Sequence, residues 1–207
     1  MDGFGWVPFL MAAILIELTP GPNMGYLALA SARRGWGAGM LTVVGVTLGL
    51  AVHMLAAAAG LSQLAVAQPV LYQGLRWGGV IYLLWLAWDG WRSQGGATKL
   101  DEPALGDWRD VRRGFVTNLL NPKALIFYVA VLPSFAPAQA EIPLRAFLLL
   151  GAVHLGVSVI IHTAIVALGA RAYGWVARAD KSPLVQAGFA LGLVAVAAWV
   201  AWSTRGG

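Results

Sequence analysis

The chain predicts an all-α membrane protein of six transmembrane helices, arranged as two inverted three-helix repeats with helices 1 and 4 broken. Three observations carry that expectation. The 207 residues are 59% hydrophobic and only 11% charged, more apolar surface than a soluble domain of this size can bury. The apolar residues fall into six continuous runs, at about 6–32, 37–60, 71–91, 114–133, 145–168 and 184–203. Most are near the ~20 residues a helix needs to cross ~30 Å of hydrocarbon. The first and fourth runs are each interrupted by proline beside an ionisable residue.

Span 1 contains "ELTPGPNMGYL" at residues 17–27. Pro20 and Pro22 each remove a helical N–H donor and free the carbonyls of Ile16 and Leu18. Gly21 lets the backbone bend, and the Asn23 amide can refill the gap. Glu17 lies about ten residues into the run, or ~15 Å at helical rise, near the midplane. Irregular backbone at that depth is tolerated only against protein or a wet cavity. Met1-Asp2 supplies no basic n-region and no small-residue cleavage site follows, so this run reads as a retained span rather than a signal peptide.

Span 2 carries Gly45, Gly49 and His53 at intervals of four, a flat face suited to close helix packing that ends in an imidazole. In span 3, Arg76 and Asp89 lie near the ends, where long or charged side chains snorkel to the surface. Residues 92–113 form the longest connection, and its end at residues 110–114 reads as a short amphipathic entry to span 4. That span holds "TNLLNPKALIFY", in which Pro122 frees the carbonyl of Asn118 and both Asn118 and Asn121 can bond to loosened backbone. Lys123 is again ~15 Å deep. Either charge alone in lipid costs at least ~2.5 kcal/mol, so Glu17 and Lys123 are expected to face one cavity and to be coupled directly or through water. In span 5, His154, Ser158 and His162 make a ladder turning ~40° per step. His53 and His154 are the candidates for proton handling, since imidazole titrates near neutral pH; His162 reads as hydrogen-bonding glue between helices. Gly188 and Gly192 in span 6 repeat the small-residue packing pattern.

The two halves, about 1–91 and 114–203, both open on a proline-broken helix, within a single transmembrane transporter domain of residues 1–207. Three spans is an odd number, so the second copy enters the membrane upside down, as in inverted-repeat transporters whose sites lie at midplane. Arg33, Arg34, Arg92, Lys99, Arg109, Arg112, Arg113, Arg171, Arg178 and Lys181 gather on one side, against Arg76, Arg145 and Arg205 on the other. The positive-inside rule then places both termini outside the cytoplasm. Trp6, Trp36, Trp77, Trp91, Trp108, Trp175 and Trp202 lie near span ends, as an aromatic belt would.

Several functions find no support. With no cysteine, disulfides and thiolate metal sites are excluded. Three histidines on two helices lack carboxylates at ligand spacing, which leaves no metal site to assign. The net charge of +5 forms no stripe or arm for nucleic acid. The sequence carries no GxxxxGK[ST], HExxH or GxSxG, so neither ATP binding nor an intramembrane enzyme using Glu17, the histidines or Ser158 is indicated. A passive scaffold gains nothing from buried charges.

Together, "TPGPN" at residues 19–23, "ARRGWGAGM" leading into "GVTLGLAVH", and "RGFVTNLLNPKALIFYVAVLPSF" make the chain similar to the LysE/RhtB family of bacterial amino-acid exporters over essentially its whole length. The resemblance implies six membrane helices in the bacterial cytoplasmic membrane, efflux of amino acids or related solutes, and coupling to the proton gradient without a cofactor. Its motif positions fall on Pro20, Gly21, Pro22, Asn23, Asn118, Asn121, Pro122 and Lys123. Homodimerisation is a further implication from relatives. In such an exporter a half-helix N-terminus can hold the substrate carboxylate, a carboxylate or freed carbonyls its ammonium, and Glu17 or a histidine the proton. One carboxylate and one lysine at depth suit a neutral amino acid, such as homoserine or threonine, better than a dibasic one.

Overall fold

The computed structural model describes residues 5–19, 21–59, 69–92, 107–135, 143–179 and 183–203. Pro20, residues 93–106 of the long connection, Lys181 and Arg205 lie outside the described residues, as do the side chains of Arg76, Trp91, Arg92, Trp175 and Arg178. Among the described residues there are seven α-helices and no strand: α1 (Trp6–Leu18), α2 (Pro22–Ala58), α3 (Pro69–Arg92), α4 (Trp108–Leu119), α5 (Pro122–Ile126), α6 (Pro143–Ala179) and α7 (Pro183–Ser203). The all-helical expectation holds.

The breaks fall at the prolines. α1 ends at Leu18 and α2 begins with Pro22 as its first residue, where a missing N–H costs nothing. α4 ends at Leu119 and α5 begins with Pro122 in the same way, with a bend of 54° between the two arms. Beyond α5 the chain continues as a π-helical turn (Phe127–Val131) and a 3-10 turn (Leu132–Phe135). α4 starts at Trp108, six residues before the expected span, so the amphipathic entry is continuous with the first arm.

The boundary expected between spans 1 and 2 differs from a loop. α2 runs through it, interrupted only at Gly35, whose φ of 82° and ψ of −174° lie where a side chain would be strained. A Cβ at Gly35 would also sit 3.7 Å from the Tyr173 ring of α6. One glycine therefore turns the helix without a connecting segment.

α2 is the centre of the bundle, packing along both α6 and α4, while α3 packs on α7. Small residues set the closest approach. A Cβ at Gly45 of α2 would run into the Val111 carbonyl of α4, and one at Gly114 into the Thr42 carbonyl of α2, so the two backbones touch. The span 6 pattern behaves otherwise: Gly192 lies against Leu29, but among the described residues a Cβ at Gly188 would meet nothing within 4 Å.

Phe9, Leu50, Phe127, Tyr128, Leu132 and Leu150 form one core between α1, α2, the π turn and α6. Tyr26, Leu83, Leu86 and Leu193 form another between α2, α3 and α7. The outward surface is apolar too, with Val7, Ile81, Ile160 and Leu191 each more than 60% exposed. Water would not cover such a surface. α2 and residues Leu144–Tyr173 of α6 are long and apolar enough to cross a bilayer, and the bent pair of residues 108–135 becomes a third if counted as one span. α1 and residues Ala187–Trp199 are shorter apolar helices. Near one end, Arg34 pairs with Asp110 and Arg113 with Asp89. Asp89 thus ties α3 to α4 instead of simply reaching for the surface.

Candidate functional site between the two breaks

The second break largely satisfies itself. The Asn121 N–H donates to the Asn118 carbonyl at 2.9 Å, and Asn121 Oδ1 caps α5 by accepting from the Lys123 N–H at 3.0 Å. His53 Nε2 lies 3.3 Å from the same Asn118 carbonyl, the one that Pro122 leaves without its helical donor. The His53 ring also stacks on Tyr128 with centroids 6.5 Å apart.

The first break is completed from across the bundle. Gly21 precedes Pro22 in extended conformation and has no side chain with which to cap α2. Lys123 Nζ crosses over and donates to the Thr19 carbonyl at 2.8 Å. Asn23 Nδ2 donates to Asn118 Oδ1 at 2.6 Å, and Asn118 Nδ2 donates to the Val46 carbonyl at 2.8 Å. A carbonyl only accepts, so Val46 fixes the direction of the Asn118 amide, and Asn118 then fixes that of Asn23. The outcome is a buried Asn23 Oδ1 with no hydrogen-bond partner among the described residues. Asn23 and Asn118 thus hold the two broken segments together rather than refilling their own loosened backbone.

Glu17 is buried at 4% exposure and faces α6. Its Oε1 lies 3.0 Å from His154 Nε2 and its Oε2 lies 3.3 Å from His162 Nε2. The His154 contact is close but too poorly aligned for a directed hydrogen bond. The outer nitrogens are occupied as well: His154 Nδ1 is 3.0 Å from the Tyr128 hydroxyl, and His162 Nδ1 is 3.1 Å from Ser158 Oγ. With both hydroxyls donating to the outer nitrogens, each ring turns an Nε2–H toward the carboxylate. Tyr128, His154, Glu17, His162 and Ser158 then form one buried polar line.

Glu17, Gly21, Asn23, Asn118, Asn121 and Lys123 line a single cavity, together with His154 and His162. Its free space is about 10 Å³, room for roughly one water. Pro22 and Pro122 are buried at the heads of their helices, while Pro20 lies outside the described residues. Glu17 and Lys123 share the cavity but do not form an ion pair; each has partners of its own. His162, read from sequence as interhelical glue, reaches Glu17 as His154 does. His53 stands apart, on the second break. Sequence reasoning missed the Thr19 carbonyl and Tyr128; it read His162 as interhelical glue, and His162 does join α6 to α1, though it did not name Glu17 as the partner. One signal pointed the right way: Glu17 needed a buried partner, and the His154–His162 stripe was among the few titratable candidates at depth.

Outward-facing apolar helices around a buried polar centre define an integral membrane protein. The LysE type translocator family matches residues 14–204, and the chain belongs to that family. It is 29% identical over 174 residues to a homoserine/homoserine lactone efflux protein of Salmonella typhi, covering 83% of each chain. It is 34% identical over 150 residues to a leucine efflux protein of Klebsiella pneumoniae, covering 70% of this chain and 69% of the relative. No solved structure matches the chain.

Proposed function

We propose that this protein exports a small neutral amino acid, such as homoserine or threonine, from the cytoplasm of a bacterium, in exchange for protons. In this reading six spans form two inverted three-helix repeats in the cytoplasmic membrane, with both termini outside. The efflux activities named for its relatives support the general class. The observation that carries the specific reading is the division of charge in the cavity. Among the described residues the Lys123 ammonium hydrogen-bonds to a backbone carbonyl, which a substrate carboxylate can replace. Asn23 Oδ1 is an unpaired acceptor for the substrate ammonium. Glu17 is already engaged by two imidazoles, which suits it to a proton better than to the substrate ammonium. A dibasic substrate would find no free carboxylate for its side chain.

The closed cavity is too small for an amino acid, so binding requires the two breaks to move apart, as alternating access demands. The test is counterflow in proteoliposomes, with threonine, homoserine, leucine, lysine and arginine offered with and without a pH gradient. Neutral substrates should exchange, and an inwardly directed proton gradient should drive their export. Faster exchange of lysine or arginine than of threonine or homoserine would overturn the substrate assignment. Indifference to the pH gradient would overturn the coupling.

A further inference from the structure

The charged ends of an amino acid find their partners in Lys123 and Asn23, and much of the remaining cavity wall is apolar. Ile16, Met24, Leu50 and Phe127 line the same cavity as those two residues. We infer that Met24 decides which side chain the site accepts, and that the accepted class is amino acids with compact uncharged side chains, chosen by size and not by a side-chain hydroxyl. The inference rests on the export reading above and adds to it the side-chain end of the site.

Three of the four apolar residues are fixed. Leu50 and Phe127 are 2% and 1% exposed and belong to the core between α1, α2 and α6. The Phe127 ring is held further by stacking on His154, with centroids 3.9 Å apart. Ile16 packs against the same core. Met24 differs: it is half-buried and belongs to none of the apolar clusters that the described residues form. An unbranched side chain with three rotatable bonds fills irregular space and yields at low cost. Its backbone has no such freedom. A Cβ at the neighbouring Gly25 would run into the Val196 side chain of α7, so α2 is pressed against α7 there. A fixed helix thus presents one adaptable side chain to the cavity.

Met24 directly follows Asn23 in α2, and Phe127 lies one helical turn beyond Lys123. A substrate held at its ammonium by Asn23 and at its carboxylate by Lys123 therefore has an apolar neighbour at each anchor. The other polar groups are engaged already. Glu17 meets His154 and His162, Asn118 joins Asn23 to the Val46 carbonyl, and Asn121 Oδ1 accepts from the Lys123 N–H. A site built to bond a substrate hydroxyl rejects the analogue lacking it by roughly ten-thousandfold or more, whereas an apolar wall separates such isosteres by only about a hundredfold. This wall is of the second kind.

The experiment measures equilibrium binding of threonine, valine and leucine to the full-length protein in a neutral detergent by isothermal titration, with the melting temperature of each variant as a check on folding. Binding needs neither turnover nor a proton gradient, so its outcome is separate from that of the transport assay. Valine, which is threonine with a methyl in place of the hydroxyl, should bind wild type at least as tightly as threonine. Met24→Ala widens the site and should shift the ratio of leucine to threonine affinity toward leucine by roughly tenfold or more. Met24→Phe narrows it and should shift the ratio the other way. Met24→Leu conserves volume and should stay near wild type. So should Met40→Ala, which removes the same atoms beside Leu27, Val43 and Val166, away from the cavity. Threonine binding more than about a hundredfold tighter than valine would overturn the apolar class. Equal changes for all three amino acids in both Met24→Ala and Met24→Phe would overturn the role of Met24 and leave the export reading standing. If wild type bound none of the three, the export reading would fall, and this assignment with it.

Discussion

The two breaks begin alike, with a helix ending two or three residues short of a proline that starts the next, yet they are finished differently. The second caps itself through Asn121, and His53 lies against its buried Asn118 carbonyl. The first has glycine where the second has asparagine, and it borrows Lys123 for its Thr19 carbonyl and Asn118 for its Asn23 amide. The second break is capped from within and braced by α2, whereas the first draws its partners from the second. The dependent break is also the one that carries the buried acid. Any movement that separates the two segments therefore frees the Thr19 carbonyl and the Asn23 amide on the first, and Lys123 Nζ and Asn118 Oδ1 on the second.

The sharpest way to challenge this asymmetry is at Glu17. Glu17→Gln should abolish acceleration of export by a pH gradient while counterflow without a gradient survives; loss of both together would mean that the acid serves substrate binding instead. Lys123→Met is expected to cost roughly tenfold or more in transport, the scale of a charge-assisted hydrogen bond. It should also speed amide hydrogen exchange around residues 21–25 but not around residues 121–125. Equal acceleration at both breaks would contradict the one-way dependence. Gly45→Ala drives a methyl group into the Val111 carbonyl and should destabilise the protein by about 1–3 kcal/mol, measured as a lowered melting temperature in detergent. It would show whether the α2–α4 contact is what holds the second break rigid. Asn121→Ala removes a cap worth about 1 kcal/mol and is expected to disturb only the second break. The smallest effect is the coupling between Asn23→Ala and Asn118→Ala, about 0.6 kcal/mol in a double-mutant cycle; a value near zero would mean that the amide bridge does not link the segments.

Much of this centre was legible in sequence. Prolines remove donors wherever they stand, so both interruptions could be placed within a residue or two, and Glu17 and Lys123 drew attention as charges in apolar runs. Partner choice was less legible, because it depends on how helices distant in sequence are rotated against each other. The histidine stripe on α6 was visible, but nothing local aimed it at α1. Lys123 was expected to face one cavity with Glu17 and to couple to it directly or through water; the two do share the cavity, but the hydrogen bond of Lys123 goes to a main-chain carbonyl, a partner that side-chain patterns do not advertise. The continuous course of α2 was missed because arginines and glycines around residue 35 look like a loop, while a single positive φ suffices to redirect a helix.

The two imidazoles that meet on Glu17 stand two turns apart on α6, ~12 Å along its axis. A carboxylate reached from above and below by one rod acts as a detent. If α1 slides along α6 in either direction, one contact tightens as the other opens, and the midpoint is where both are kept. The acid therefore sets the axial position of α1, and a change in its protonation alters how firmly that position is held.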